Sequence, residues 1–143
     1  MKDKVFIDKN IFAYIFDKTD RVKSKNAIQL VRNNFANKNS VISYRVIQEF
    51  INVALNKFKK TLSKQEIIEF LQDVLEPMCE IYPNKELFIK GITLQKRWKY
   101  SFYDSLIIAA ALKANCNILY SEDLQHGQVI DDLKIINPFI EKK

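Results

Sequence analysis

The sequence predicts an α/β protein with a mostly parallel sheet, because short apolar runs alternate with longer stretches of helical periodicity. Residues 5–7, 41–42 and 118–120 are apolar runs too short for helices, and they suit buried strands. Polar or acidic residues follow the first and last of these runs directly. The chain has 143 residues with no linker or repeat, so we expect a single domain over 1–143.

Helical periodicity predicts the elements between these strands in chain order. A helix or turn begins near residue 11, and a helix over 24–35 places Ala27, Ile28, Val31 and Phe35 on one face. A helix over 44–58 follows the second strand and has an apolar arc. The members of that arc are Val46, Ile47, Phe50, Val53 and Ala54.

The second half of the chain repeats this alternation. Ser63 and Glu66 form a capping box at the start of a helix that Pro77 ends. A third strand at 80–82 and a helix at 85–98, weakened by Gly91, lead to the central stretch of the sequence. A last strand over 134–137 stops at Pro138, which completes the predicted sheet.

The stretch 99–128 combines a helix start, a strand and a following acidic turn. Ser101 to Asp104 begins a helix that stops near Asn115, and Ser121 and Asp123 follow the strand 118–120. In open α/β sheets, ligands bind outside the carboxyl ends of the strands, and helices that follow those strands begin at the same edge. We therefore expect Asp104 and Asp123 to meet there.

Asp8 follows the first strand in the same way. If the chain stays extended beyond Ile7, Asp8 and Asn10 lie on one side and Lys9 points to the other, away from the site. Glu49 lies in the first turns of the helix that follows the second strand, so we expect it near the same edge.

Each acid also has an explanation that needs no site. Asp104 completes a capping box with Ser101, Glu49 is a solvated surface acid, and Asp123 is a turn residue. Asp8 is harder to explain in this way, because a carboxylate in a cleft after a central strand is expensive when it is unpaired. These readings stay open for each residue taken alone.

The four acids together point to a shared cation. Carboxylates within a few ångströms repel one another, so Asp8, Glu49, Asp104 and Asp123 must take up protons or share positive charge. Oxygen ligands favour Mg²⁺ or Mn²⁺, and the sequence has one histidine, His126, and two cysteines without CxxC spacing, which disfavours zinc. A net charge of +6 favours a polyanionic partner. A metal-dependent nuclease fits both features.

Four segments carry a family resemblance that covers nearly the whole chain. FIDKNIFAY, ISYRVIQEFINV, SFYDSLIIAAAL and LYSEDLQHGQ resemble the motif blocks of PIN-domain ribonucleases, especially the VapC-like toxins of toxin-antitoxin pairs. The resemblance implies a three-layer α/β/α fold and cleavage of RNA that depends on Mg²⁺ or Mn²⁺. It gives catalytic, metal-binding roles to Asp8, Glu49, Asp104 and Asp123 and supporting roles to Asn10 and Ser121. Lys9 departs from the small residue usual between the first Asp and Asn of the family.

The same resemblance implies a cognate antitoxin as partner and a symmetric homodimer, which the apolar residues between Ser63 and Trp98 also favour. The alternative is a PIN-like domain without catalysis that binds nucleic acid or a protein. A phosphotransfer enzyme with Asp8 as nucleophile shares the strand-Asp pattern, but Asn10 stands where that pattern has a second acid.

The remaining features concern the location of the protein and the state of its cysteines. The opening MKDKVFIDKN is charged, and no apolar stretch reaches transmembrane length, so we expect a cytoplasmic protein without a membrane partner. Cys79 and Cys116 lie beside apolar runs, and we expect both to be reduced thiols.

Overall fold

The computed structural model describes residues 3–58 and 62–140, and these residues form one six-stranded sheet flanked by helices. In chain order the strands are β1 Val5–Ile7, β2 Ser40–Ser43, β3 Cys79–Ile81, β4 Ile118–Tyr120, β5 Val129–Ile130 and β6 Leu133–Ile136. Their order across the sheet is β3-β2-β1-β4-β6-β5. Every pairing is parallel except that of β5 with β6. The predicted mostly parallel sheet is confirmed.

Helices cover both faces of this sheet and give the predicted three-layer α/β/α architecture. In chain order they are α1 Lys9–Ile15, α2 Arg21–Ala36, α3 Tyr44–Lys57, α4 Lys64–Phe70, α5 Glu76–Met78, α6 Lys85–Trp98 and α7 Phe102–Lys113. A π-helical turn, Leu71–Leu75, joins α4 to α5. Helix α1 packs against α2 and α3, whereas α6 packs against α7. None of the helices among the described residues is long and apolar enough to cross a membrane.

Two features hold the layers together. The middle of helix α7 is buried, with every residue from Ser105 to Ala111 in the core. Gly91 brings α6 close to α7, since a Cβ atom there would lie 2.9 Å from Cδ2 of Leu106. The expected weakening of the helix at Gly91 does not interrupt it, because this close packing outweighs the low helix propensity of glycine.

Some boundaries differ from those that the sequence predicts. Helix α2 begins at Arg21, and Phe35 retains 39% of its accessible surface rather than lying on a buried face. Helical structure continues one residue beyond Pro77, to Met78. Strand β5 was not predicted, because two residues are too few to show the alternation of apolar and polar side chains that indicates a strand. Both cysteines are free thiols, as expected.

Strand β1 is the point where the sheet changes direction. The chain leaves β1 to form β2 and β3 on one side and then returns to the other side at β4. The carboxyl ends of β1, β2 and β4 therefore lie side by side at one edge, which we call the carboxyl edge. Such a switch point leaves a crevice in which ligands of open α/β sheets bind.

Candidate functional site

Asp8 lies at the centre of the carboxyl edge, and its position is fixed by three hydrogen bonds. Its backbone N–H donates to the carbonyl of Tyr120 over 3.0 Å, which ties the end of β1 to β4. Its Oδ1 accepts from the backbone N–H of Lys9 (2.7 Å), so Asp8 is the N-cap of α1. Its Oδ2 accepts from Oγ of Ser121 (2.8 Å). Both oxygens of this buried carboxylate thus have a donor.

These donors do not compensate fully for the loss of water around Asp8. The pKa of the Asp8 carboxyl is raised from 3.8 to about 6, chiefly by burial and to a smaller extent by the Glu49 carboxylate. The positive charge of Lys9, its backbone N–H and the Ser121 hydroxyl act in the opposite direction and lower the pKa. Asp8 is therefore a carboxylate that gains from additional positive charge.

Lys9 points into the site, so the expectation that its side chain points away is wrong. Its Nζ lies 2.5 Å from Oε2 of Glu49 and 3.5 Å from Oδ2 of Asp123. The physical reason is that α1 begins at Lys9 and not after Asn10. Successive helical residues are rotated by about 100° rather than 180°, so the alternation of a strand does not continue past Asp8.

Glu49 reaches the carboxyl edge from α3, as predicted, but it is not a solvated surface acid. Lys9 neutralises one of its oxygens, and Nε of Arg45 lies 2.8 Å from the other. The guanidinium of Arg45 also lies 4.1 Å from the ring centre of Tyr103, a cation–π contact that links α3 to α7. The role of Arg45 was not predicted, although its spacing of four residues from Glu49 is the signal for such a pair.

Asp104 combines the two roles that the sequence left open. The Ser101 Oγ accepts a hydrogen bond from the Asp104 backbone N–H (3.1 Å), which starts α7. The half-buried Asp104 side chain faces the other acids: burial raises the pKa of its carboxyl, and the nearby Asp123 and Glu49 carboxylates raise it further. A hydrogen bond with the Ser101 side chain and the charge of Lys9 lower it. The predicted meeting of Asp104 and Asp123 agrees with this electrostatic effect of Asp123 on Asp104, and their joint role in a site stays a prediction.

Ser121 and Asp123 follow β4, and the Ser121 hydroxyl connects Asp8 to the backbone of Asp123. Its hydroxyl donates to Asp8 and accepts from the Asp123 backbone N–H over 3.2 Å. The side chain of Asp123 is partly exposed, in contrast to that of Asp8. The supporting position predicted for Ser121 therefore agrees with its contacts.

A polar cluster that was not predicted from the sequence anchors the loop carrying Asp123. Glu122 accepts a hydrogen bond from the Tyr14 hydroxyl (2.6 Å), and its other oxygen lies 2.5 Å from Nζ of Lys23. The Lys23 ammonium also lies 4.8 Å from the ring centre of Tyr14. This cluster fixes the loop to α1 and α2, and we call it the Glu122 anchor.

Two other predicted residues have different outcomes. Among residues 3–58 and 62–140, Asn10 makes no hydrogen bond or ion pair with the acids, so its supporting role stays a prediction. His126 lies in the same loop as Asp123, and its Nδ1 accepts from the Asn137 backbone N–H over 3.0 Å. This bond gives His126 a structural function at the end of β6.

The donor set at the carboxyl edge fits a hard divalent cation. It consists of carboxylate oxygens from Asp8, Glu49, Asp104 and Asp123, which Mg²⁺ and Mn²⁺ prefer. Within the described ranges 3–58 and 62–140, no three His, Cys, Asp or Glu side chains are grouped closely enough to hold a metal as they stand. The Lys9 ammonium lies between Glu49 and Asp123, so a cation already separates two of the four acids.

Comparison with known proteins gives a family and a fold. The sequence model of the PIN domain matches residues 5–130. Comparison with curated protein sequences gives no match.

Several solved structures share the fold. A toxin-antitoxin complex from Klebsiella pneumoniae has a TM-score of 0.67 at 17% identity, covering 94% of this chain and 98% of that one. VapBC2 from Rickettsia felis, solved with a DNA fragment from its promoter, has a TM-score of 0.60 at 22% identity, with coverages of 92% and 96%. Mycobacterium tuberculosis VapC20, a toxin that cleaves the sarcin-ricin loop, also has a TM-score of 0.60, at 17% identity, with coverages of 83% and 89%.

The raised pKa of Asp8 predicts a specific dependence of stability on pH in EDTA. Because the pKa is higher in the folded chain (about 6) than its ordinary value of 3.8, the Asp8 contribution to stability is lost as pH rises through this range. Asp8→Asn keeps the shape without the charge, so it should be more stable than the parent by up to roughly 3 kcal/mol at about pH 8.

This difference should shrink towards about pH 4, where the Asp8 carboxyl is protonated in the folded chain. Urea unfolding of both proteins across this range measures it. A difference in the free energy of unfolding that stays constant over the whole range would contradict the account of Asp8.

Proposed function

The chain belongs to the PIN domain family, and from this premise we propose that it is an endoribonuclease dependent on Mg²⁺ or Mn²⁺ and the toxin of a toxin-antitoxin pair. The observation that supports this proposal most strongly is the buried Asp8 carboxylate at the switch point of the sheet, which lies near the Glu49 carboxylate and next to Lys9, whose ammonium pairs with Glu49 and Asp123. The net charge of +6 supports a nucleic-acid substrate.

We propose that Asp8, Asp104 and Asp123 hold the ion, with Glu49 beside it. When bound, a divalent ion supplies an activated water and offsets the charge that develops on the phosphodiester. The Ser121 hydroxyl keeps Asp8 in place by its hydrogen bond, and the Glu122 anchor keeps the loop of Asp123 in place. These contacts position Asp8 and the loop of Asp123 before the ion binds.

RNA binding is assigned to groups that surround the acids. Lys96, Arg97 and Lys99 are exposed at the end of α6, just before the start of α7 that carries Asp104. Lysine and arginine bind phosphates without reading the sequence of the RNA. Tyr103 is largely exposed beside Asp104, where its ring can stack on a base.

The proposed partner is an antitoxin that covers this edge, and the proposed location is the cytoplasm, where RNA is available. The likeness to toxin-antitoxin complexes from Klebsiella pneumoniae and Rickettsia felis supports this proposal. A neighbouring short reading frame for a DNA-binding protein would support it independently.

Replacement of the acids should abolish cleavage without abolishing RNA binding. Asp8→Asn and Asp104→Asn should each lower single-turnover cleavage of structured RNA in Mn²⁺ by roughly a hundredfold or more, the scale of losing one preorganised electrostatic element. RNA affinity should hold or rise, because negative charge leaves the cleft while the basic residues remain. Gel-based cleavage and filter binding measure the two effects.

Asp131→Asn is the matched control for this experiment. Asp131 is exposed at the turn before β6, at the opposite edge of the sheet, and its φ of 53° is one that asparagine adopts readily. It should cleave like the parent. Cleavage that survives EDTA and both site substitutions, or products with cyclic phosphate ends, would contradict the proposed chemistry. Folded parent that binds RNA without any cleavage would favour a non-catalytic binding module.

We also propose a homodimer, formed through an apolar face of α6. Phe88, Ile89 and Ile92 are exposed on this helix, and Ile92 retains 59% of its accessible surface. Ile92→Glu should convert the dimer to a monomer at roughly tens of micromolar, because burying an unpaired charge is costly. Sedimentation velocity measures the change.

Val22→Glu provides the control for the dimer, because Val22 is 72% exposed on α2 and lies outside the proposed interface. It should sediment like the parent. A parent chain that is monomeric at these concentrations would remove the proposal.

A further inference from the structure

Lys9 carries a positive charge at the N-terminus of α1, where a positive charge is unfavourable. It is the first residue of a helix whose first turn contains no acid, and a positive charge at a helix N-terminus interacts unfavourably with the helix dipole. Its ion pairs with Glu49 and Asp123 offset this interaction. Lys9 is therefore held at the carboxyl edge by the acids of the site rather than by its own helix.

Lys9 differs in this respect from Lys23, the other lysine paired with a carboxylate near this edge. Lys23 is held by Glu122, by the Tyr14 hydroxyl and by two aromatic rings, those of Tyr14 and Phe139. Among the described residues, the contacts of the Lys9 ammonium are with carboxylates. A lysine has a flexible stem, so an ammonium that only carboxylates hold can move away when a cation of higher charge binds those carboxylates.

We propose that Lys9 is a tethered counter-ion, which occupies the place of a divalent cation between Glu49 and Asp123 and is displaced when the ion binds. The inference rests on the metal site of the proposed function. In the absence of the ion, the ammonium offsets the repulsion between the acids. When the ion enters, the two cations repel each other, so Lys9 lowers the affinity of the site for the ion and sets the concentration at which the site fills.

The arrangement of the acids explains why the exchange involves Lys9 rather than Arg45. Arg45 is bound to Oε1 of Glu49 and its guanidinium lies over the ring of Tyr103, so it has a second partner outside the acids. Lys9 binds the other Glu49 oxygen, and its charge also acts on the carboxyls of Asp8 and Asp104. Its ammonium thus pairs with two of the four acids, Glu49 and Asp123.

Calorimetric titration of Mn²⁺ into the full chain without RNA tests this proposal. Lys9→Met removes the charge and keeps the length of the stem, and Lys9→Gln is a second neutral variant that retains a donor for Glu49. Lys4→Met is the matched control, because Lys4 precedes β1 at the opposite edge and also pairs with one acid, Glu80 (3.6 Å).

Both neutral variants should bind Mn²⁺ about tenfold more tightly or better, whereas Lys4→Met should stay within about twofold of the parent. The melting temperature is a second measurement. Lys9→Met should have a lower melting temperature than the parent in EDTA and the same melting temperature in saturating Mn²⁺. Equal or weaker Mn²⁺ binding by both Lys9 variants would overturn the role of Lys9 and leave the metal site in place. Absence of Mn²⁺ binding in the parent and in every variant would overturn both proposals.

Discussion

The buried carboxylate of Asp8 is the constraint on which the arrangement of the site depends. It ends the central strand, starts α1 and binds Ser121 after the neighbouring strand, so one side chain connects three segments of the chain. Because burial makes its negative charge costly, positive charge must be supplied close by. The Lys9 ammonium supplies it in the structure, and we propose that a divalent ion supplies it in the active protein.

The remaining parts of the site are positioned by interactions of residues around the acids. Ser101 caps α7 and so places Asp104 in the first turn of that helix. The Glu122 anchor holds the loop of Asp123 by a charged pair that aromatic rings cover. Arg45 pairs with Glu49, and its guanidinium also lies over the ring of Tyr103. Each acid thus has a partner that determines its position.

Sequence reasoning predicted the mostly parallel sheet from the alternation of apolar runs and helical periods, and the family resemblance implied the three layers. It placed the acids at the carboxyl edge because the polar residues that follow parallel strands lie there. It did not predict where Lys9 points, because one residue, and not three, separates the end of the strand from the start of the helix. Side chains rotate by about 100° per residue in a helix, so Lys9 does not alternate with Asp8 as it would in a strand. Contacts between segments far apart in the chain, such as Lys23 with Glu122, leave no periodic signal. The supporting role of Asn10 stays a prediction.

A crystal of the full chain grown with Mn²⁺ tests the central claim most directly, because anomalous scattering locates the ion independently of any assay. We predict one peak at the carboxyl edge, in contact with the carboxylates of Asp8 and Asp104, with the Lys9 ammonium moved away from Glu49. A site without a peak, with Lys9 still paired to Glu49 and Asp123 at high Mn²⁺ concentration, would contradict the claim that these acids form a metal site.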